Sequence, residues 1–138
     1  MTMPYPCRMS TYGNSKTTSL SPTEAEAAIR EALADEGFGV LTEIDVAATL
    51  EAKLGITRGP YKILGACNPS LANQALDAEE AVGLLLPCNV VVFASDGGTV
   101  VAALEPLTMI DLTGNDALSG VADQAHAALE RALAAIPA

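Results

Sequence analysis

Two Cys-Asn steps, each beside a proline, most constrain how this chain can fold. They lie in the segments Gly65-Ala66-Cys67-Asn68-Pro69 and Leu86-Pro87-Cys88-Asn89, next to apolar runs. Asparagine is a good helix N-cap and proline suits the first helical position, so the first segment predicts a strand that turns into a helix. Proline is tolerated where a strand starts, so the second segment predicts a buried strand with Cys88 near its beginning.

Capping signals and apolar periodicity predict the elements around these steps. Ser21-Pro22-Thr23-Glu24 is a capping box with proline at the first helical position, and Asp45 is a second N-cap. Gly37 and Gly55 are expected to end the two helices that follow these caps. Alternation predicts that one face of the second strand carries Phe38, Val40, Thr42 and Ile44.

These signals give a complete order of elements. We predict strands at 12–20, 38–44, 61–66, 84–95 and 99–104, and helices at 22–37, 46–55, 69–76 and 117–135, with 106–113 irregular. Asp96-Gly97-Gly98 is a turn that pairs the last two strands as a hairpin. Strands and helices alternate in the first part of the chain, and the last two strands form a hairpin. This order predicts an α+β fold with helices packed on one face of the sheet.

Composition bounds the domain and its core. The chain has 138 residues, half of them hydrophobic, but aromatic residues make up only 4%. We expect residues 1–9 to be a flexible leader and residues 10–138 to form a single domain. Aliphatic side chains must build its core, because large aromatic side chains are scarce.

Charge and hydropathy limit the possible binding partners and the cellular compartment of the protein. The net charge of −10 and a pI near 4.2 argue against nucleic acid and anionic membranes as partners. No signal-peptide pattern is present, and no apolar run reaches the roughly 18–20 residues of a membrane span. We therefore expect a cytoplasmic protein in which Cys7, Cys67 and Cys88 are ordinarily reduced.

Three segments in the right order resemble a known family, the domain of unknown function 302 (DUF302), whose structures are termed TT1751-like. The segments are 37–45 (GFGVLTEID), 60–69 (PYKILGACNP) and 84–92 (LLLPCNVVV), and the similarity extends over about 12–136. The resemblance implies a curved antiparallel sheet with helices on one face, related to the TATA-binding-protein arrangement, and a homodimer. It implies no established reaction.

The two cysteines are the leading candidate site residues. Cys67 is expected beside a helix N-terminus, whose dipole and free N–H groups stabilise a thiolate. Cys88 can pair with it, as a redox couple or as two ligands of a soft metal or haem iron, if their strands are neighbours and their side chains share a face. A disulfide needs Cα atoms within about 7 Å. The alternative for both is an inert, buried structural cysteine.

Other candidates lie near these cysteines or near a possible cleft. Asn68 and Asn89 follow the two cysteines directly. Glu43 is expected either to face a cleft with Lys62 or Arg58 or to form an ordinary surface ion pair. No metal site is predicted, because the cysteines are far apart in sequence and His126, the single histidine, is expected to be a surface or packed residue.

Three functions remain open at this level. The first is a homodimeric ligand-binding or redox-accessory module whose site, near the Cys67 and Cys88 turns, holds a small ligand, a soft metal, haem or a sulfur species. The second is a thiol-dependent enzyme that uses Cys67, with Glu43 and Lys62 nearby. The third is a protein-interaction module with structural cysteines, whose dimeric sheet surface is the working part. No cofactor is assigned.

Overall fold

A computed structural model describes residues 12–138, in which five strands form one antiparallel sheet. The spatial order is β1-β5-β4-β3-β2, and the predicted α+β fold is confirmed. The predicted leader at residues 1–9 and Cys7 lie outside the described residues. The strands are β1 (Gly13–Thr18), β2 (Gly39–Asp45), β3 (Tyr61–Cys67), β4 (Cys88–Ser95) and β5 (Gly98–Leu104).

Three helices begin at the predicted caps Ser21, Asp45 and Asn68, and the second of them ends at the predicted Gly55. Ser21 Oγ accepts from the Glu24 N–H at 3.2 Å while the Glu24 carboxylate accepts from the Ser21 N–H at 3.0 Å, so the capping box is complete. Asp45 accepts from the Ala48 N–H, and Gly55 ends that helix with a φ of 68°. The helices are α1 (Pro22–Asp35), α2 (Val46–Leu54), α3 (Pro69–Ala78), α4 (Thr108–Thr113) and α5 (Ser119–Ala134).

Three local predictions were wrong. Residues Glu80–Leu85 form a 3₁₀ helix, so β4 begins at Cys88 rather than at 84; Pro87, which has no N–H, precedes the paired residues. Residues predicted to be irregular form α4. The third error concerns β2, whose register shifts between Val40 and Thr42. A bulge reverses the alternation, so Val40 and Thr42 do not share a face.

Side chains alternate across the sheet and give it two unlike faces. The face against which α1 and α5 pack is called the covered face. It carries the core residues Leu64, Ala66, Val90, Val92, Val101 and Ala103. The intervening residues form the groove face, with Tyr61, Ile63, Val91, Phe93, Val100 and Ala102. In residues 12–138, no helix is long and apolar enough to cross a membrane.

Candidate functional site

The two described cysteines meet at one end of the sheet. Cys67 is the last residue of β3, Cys88 is the first residue of β4, and these two strands are antiparallel neighbours. Ala66 is the direct partner of Cys88, so Cys67 lies one residue out of register. Strand spacing and rise then place the two Cα atoms about 6 Å apart, a separation that a disulfide can span. Strand alternation puts Cys88 on the same face as Ala66 and Cys67 on the opposite face, so a disulfide needs the end of β3 to turn the Cys67 side chain toward Cys88.

Both cysteines line one small cavity among apolar side chains. Cys88 is 6% exposed, Cys67 is half-buried, and both are free thiols. The cavity has a volume of about 20 Å³, room for a single water molecule and far too little for haem or an organic ligand. Its other walls come from Phe38, Ala66, Asn68, Leu71, Ala72, Ala75, Leu86, Pro87, Met109, Val121 and Ala125.

The turn after Cys67 holds that thiol at the start of a helix, as predicted. The Asn68 side chain accepts a hydrogen bond from the Leu71 N–H at 3.2 Å, and its amide donates to the Glu36 carbonyl at 3.5 Å. Pro69 occupies the first position of α3. Cys67 therefore lies next to the positive end of a helix, and it is the more exposed of the two cysteines.

The second thiol is kept in its neutral form. Burial raises the pKa of Cys88 to about 11, and the neighbouring Cys67 adds to the rise. Cys88 therefore carries its proton at neutral pH, whereas Cys67 has access to solvent. The pair therefore combines one solvent-accessible cysteine, Cys67, with one buried cysteine, Cys88.

The close approach of strands near the cysteines requires glycine at one position. A Cβ on Gly65 would collide with the Thr42 hydroxyl and lie 2.9 Å from Pro87 Cγ. Gly65 is also the β3 partner of Asn89. The Asn89 side chain lies on the groove face, so the structure separates this candidate from the thiol cavity that Asn68 lines.

Glu43 and Lys62 come together, but away from the cysteines. Lys62 Nζ lies 2.5 Å from Glu43 Oε1 and 3.0 Å from Glu26 Oε1, and Arg30 bonds both carboxylates. The hydrogen bond from Lys62 lowers the pKa of Glu43, and the same bond raises the pKa of Lys62. Cys67 lies five positions after Lys62 in β3, about 17 Å along a strand, which is too far for direct proton transfer.

A buried carboxylate that the sequence reasoning missed ties β5 to α5. Glu105 is fully buried, and its oxygens accept from the Asn14 amide at 3.3 Å and the Leu107 N–H at 3.2 Å. His126 Nδ1 lies 2.8 and 2.9 Å from the two oxygens of Glu105, and His126 Nε2 lies 3.0 Å from Glu130. Burial works to raise the pKa of Glu105, but these hydrogen bonds together lower it.

The Glu105–His126 cluster is a structural link and lacks the geometry of a metal site. Its two carboxylates face opposite nitrogens of one ring, so one cation cannot take all three groups as ligands. Residues 12–138 contain no group of three or more histidine, cysteine or acidic residues placed to hold a metal ion. The only sequence signal for this cluster is an acidic residue directly after an apolar strand.

Comparison with known proteins gives a family but no activity. The family model described as "Domain of unknown function DUF302" matches residues 14–136. A solved structure, the uncharacterised conserved protein DUF302 from Bacillus stearothermophilus, is 29% identical in sequence with a TM-score of 0.85. The match covers 92% of this chain and 99% of that chain. No curated protein matches.

Proposed function

This chain belongs to the DUF302 family, whose name assigns no activity, and we propose that it is a thiol redox accessory protein. Cys67 and Cys88 would interconvert between two thiols and one disulfide. One observation carries the proposal: a half-buried and a buried thiol share one apolar cavity at the ends of neighbouring strands. In a reducing compartment the dithiol is the resting form, and the disulfide is the transient one.

The chemistry needs an oxidant, for which a hydroperoxide serves as the chemical class. The Cys67 thiolate attacks the outer peroxide oxygen and breaks the O–O bond, which gives a sulfenic acid and an alkoxide or hydroxide that takes up a proton. The Cys88 sulfur then attacks the Cys67 sulfur, forms the S–S bond and releases water as its own proton leaves. Two electrons pass from the two sulfurs to the peroxide.

The cavity supports a redox role better than it supports the binding of a ligand or haem, or an enzyme that uses Cys67. Its volume of about 20 Å³ leaves no room for a bound organic molecule or haem. None of the described residues that line it is an acid or a base other than the thiols themselves. A hydrolytic or transfer enzyme based on Cys67 would need such a group within hydrogen-bond reach.

Peptide mapping after limited hydrogen peroxide treatment tests the proposal. In a Cys7→Ser background we expect a disulfide between Cys67 and Cys88 and the loss of both free thiols in each chain. Cys88→Ser should stop at the Cys67 sulfenic acid, which a dimedone probe captures, and Cys67→Ser should leave Cys88 reduced.

The outcome against the proposal is separate oxidation of the two thiols. If Cys88 reacts as fast without Cys67, or if Cys67 is overoxidised at the same rate with and without Cys88, the pair does not act as a redox unit. Cys7→Ser alone is the matched control, because it removes a thiol outside the described residues. Its thermal unfolding should match that of the unmodified chain.

We also propose a homodimer that pairs through β2. This strand is an edge of the sheet, and Leu41 is 69% exposed beside the exposed Ile44. Exposed apolar edge strands are sites of strand pairing between chains. Light scattering after size exclusion should give a dimer that Ile44→Lys converts to monomer, while Leu84→Lys, at an exposed aliphatic residue outside β2, leaves it intact. A monomeric unmodified chain would contradict the proposal.

A further inference from the structure

Aromatic residues are concentrated in one groove on the face of the sheet opposite the core. Residues 12–138 contain four aromatic residues, and Tyr12, Tyr61 and Phe93 line this groove while Phe38 lies in the core. Tyr61 and Phe93 are cross-strand partners whose rings stack with centroids 5.2 Å apart and planes 12° apart. The groove has a volume of about 540 Å³, within the range of small-molecule sites.

The charge of the groove differs from that of the rest of the chain. The sequence has 17 acidic residues and a net charge of −10, yet none of the described residues that line the groove carries a carboxylate. Among the described residues that line the groove, Arg58 alone is charged. Arg58 is exposed, and no carboxylate of residues 12–138 pairs with its guanidinium.

A second cleft beside the same loop shows the contrast. It lies between α1 and α2, shares Arg58 and Tyr61 with the groove, and is lined by Glu26, Asp45 and Glu51. In that cleft Lys62 is already paired with carboxylates. In the part of the chain that the structure describes, an anionic ligand therefore meets acidic side chains on one side of the loop and a single charged side chain, that of Arg58, on the other.

We propose that the groove binds a small planar aromatic molecule that carries one anionic group. Its ring would lie against the Tyr61–Phe93 stack and the aliphatic floor of Val91 and Ala102, and its anion would pair with Arg58. A guanidinium binds a carboxylate, sulfonate or phosphate in a bidentate manner, and aromatic walls favour flat rings.

The same features disfavour larger anionic partners. Binding of a nucleic acid needs several cations along its backbone, whereas the described lining of the groove has one, Arg58, in a strongly acidic chain. A single anion on an apolar ring needs only one cation and a pocket of this size. The groove lies on the face of the sheet opposite the thiol cavity, so binding there is independent of the redox proposal.

Fluorescence titration with two probes tests this site. The first probe is 8-anilino-1-naphthalenesulfonate, and the second is N-phenyl-1-naphthylamine, which has the same ring system without the sulfonate. We expect saturable binding of one sulfonate probe per chain, weakened about tenfold by Arg58→Gln, since a charge-assisted contact is lost. Lys53→Gln is the matched control, because it removes an equal charge outside the groove and should leave the affinity unchanged.

A second variant guards against a nonspecific result. Ala102→Leu places a larger side chain on the groove floor and should weaken both probes, while thermal unfolding verifies that each variant is folded. The proposal is overturned if Arg58→Gln binds the sulfonate probe as tightly as the unmodified chain, or if Lys53→Gln weakens it equally. It is also overturned if the groove admits the probe only on dilution to monomer, because a second copy would then be its occupant.

Discussion

The two faces of the same five strands differ in what they bury. Val90 and Val91 are adjacent in β4, yet Val90 is fully buried among aliphatic side chains and Val91 lines an open groove walled by aromatic rings. Alternation with a period of two lets one strand serve both faces. The covered face holds the fold together and ends at Cys88, while on the groove face Tyr61, Val91 and Phe93 are partly exposed.

The largest expected effect comes from the one carboxylate buried on the covered side. Glu105→Ala should lower the free energy of unfolding by about 3 kcal/mol, because Asn14, the Leu107 N–H and His126 lose a buried partner. Glu130→Ala is the matched control. Glu130 contacts the same histidine but is 71% exposed, so we expect a loss under about 1 kcal/mol. Urea unfolding of both variants measures the difference, and equal losses would contradict this account.

The neighbouring valines of β4 compare the two faces directly. Val90→Ala should cost about 2 kcal/mol, because it opens a cavity in a closely packed core. Val91→Ala removes the same two methyl groups from a part-exposed floor, where solvent fills the space, and should cost under about 1 kcal/mol. Chemical denaturation of the two variants gives both values. Similar costs would mean that the groove face is packed as tightly as the core.

A smaller effect is expected from pH. The folded pKa of Glu105 is lowered, so the unfolded chain binds this proton more tightly than the folded chain does. The stability that Glu105 contributes is therefore present above its ordinary value of 4.5 and is lost as the pH falls through the lower folded pKa. The slope from this one group is at most about 1.4 kcal/mol per pH unit.

Acid unfolding of the unmodified chain and of Glu105→Gln isolates the contribution of Glu105 to the pH dependence of stability. Glu105→Gln should show a shallower fall in stability below pH 4.5 than the unmodified chain. Exposed carboxylates such as Glu43, whose pKa is lowered by Lys62, contribute equally to both and cancel. Parallel curves would show that Glu105 does not carry a lowered pKa.

Signals that act over a few residues were readable from the sequence. The capping box at Ser21 and the caps at Asp45 and Asn68 set where three helices begin, because each side chain bonds a backbone N–H three positions away. The Cys67 turn was predicted for the same reason. The adjacency of Cys67 and Cys88 was not, because it depends on the pairing of β3 with β4.

Features that arise from long-range packing could not be read from the sequence. The bulge after Val40 follows from pairing with β3, and nothing in its local pattern marks it. Glu105 and His126 are 21 residues apart and meet only when α5 packs on the sheet. The groove gathers Tyr12, Tyr61 and Phe93 from three distant parts of the chain, so their spacing in sequence carries no signal.

The most direct test of the thiol pair is an equilibrium titration of the Cys7→Ser protein in glutathione buffers of graded redox ratio, with acid quenching and mass analysis. We expect one transition in which Cys67 and Cys88 are oxidised together, so that the protein ends as an intramolecular disulfide free of glutathione. Glutathione bound stably to Cys67 while Cys88 stays a free thiol at every ratio would contradict it.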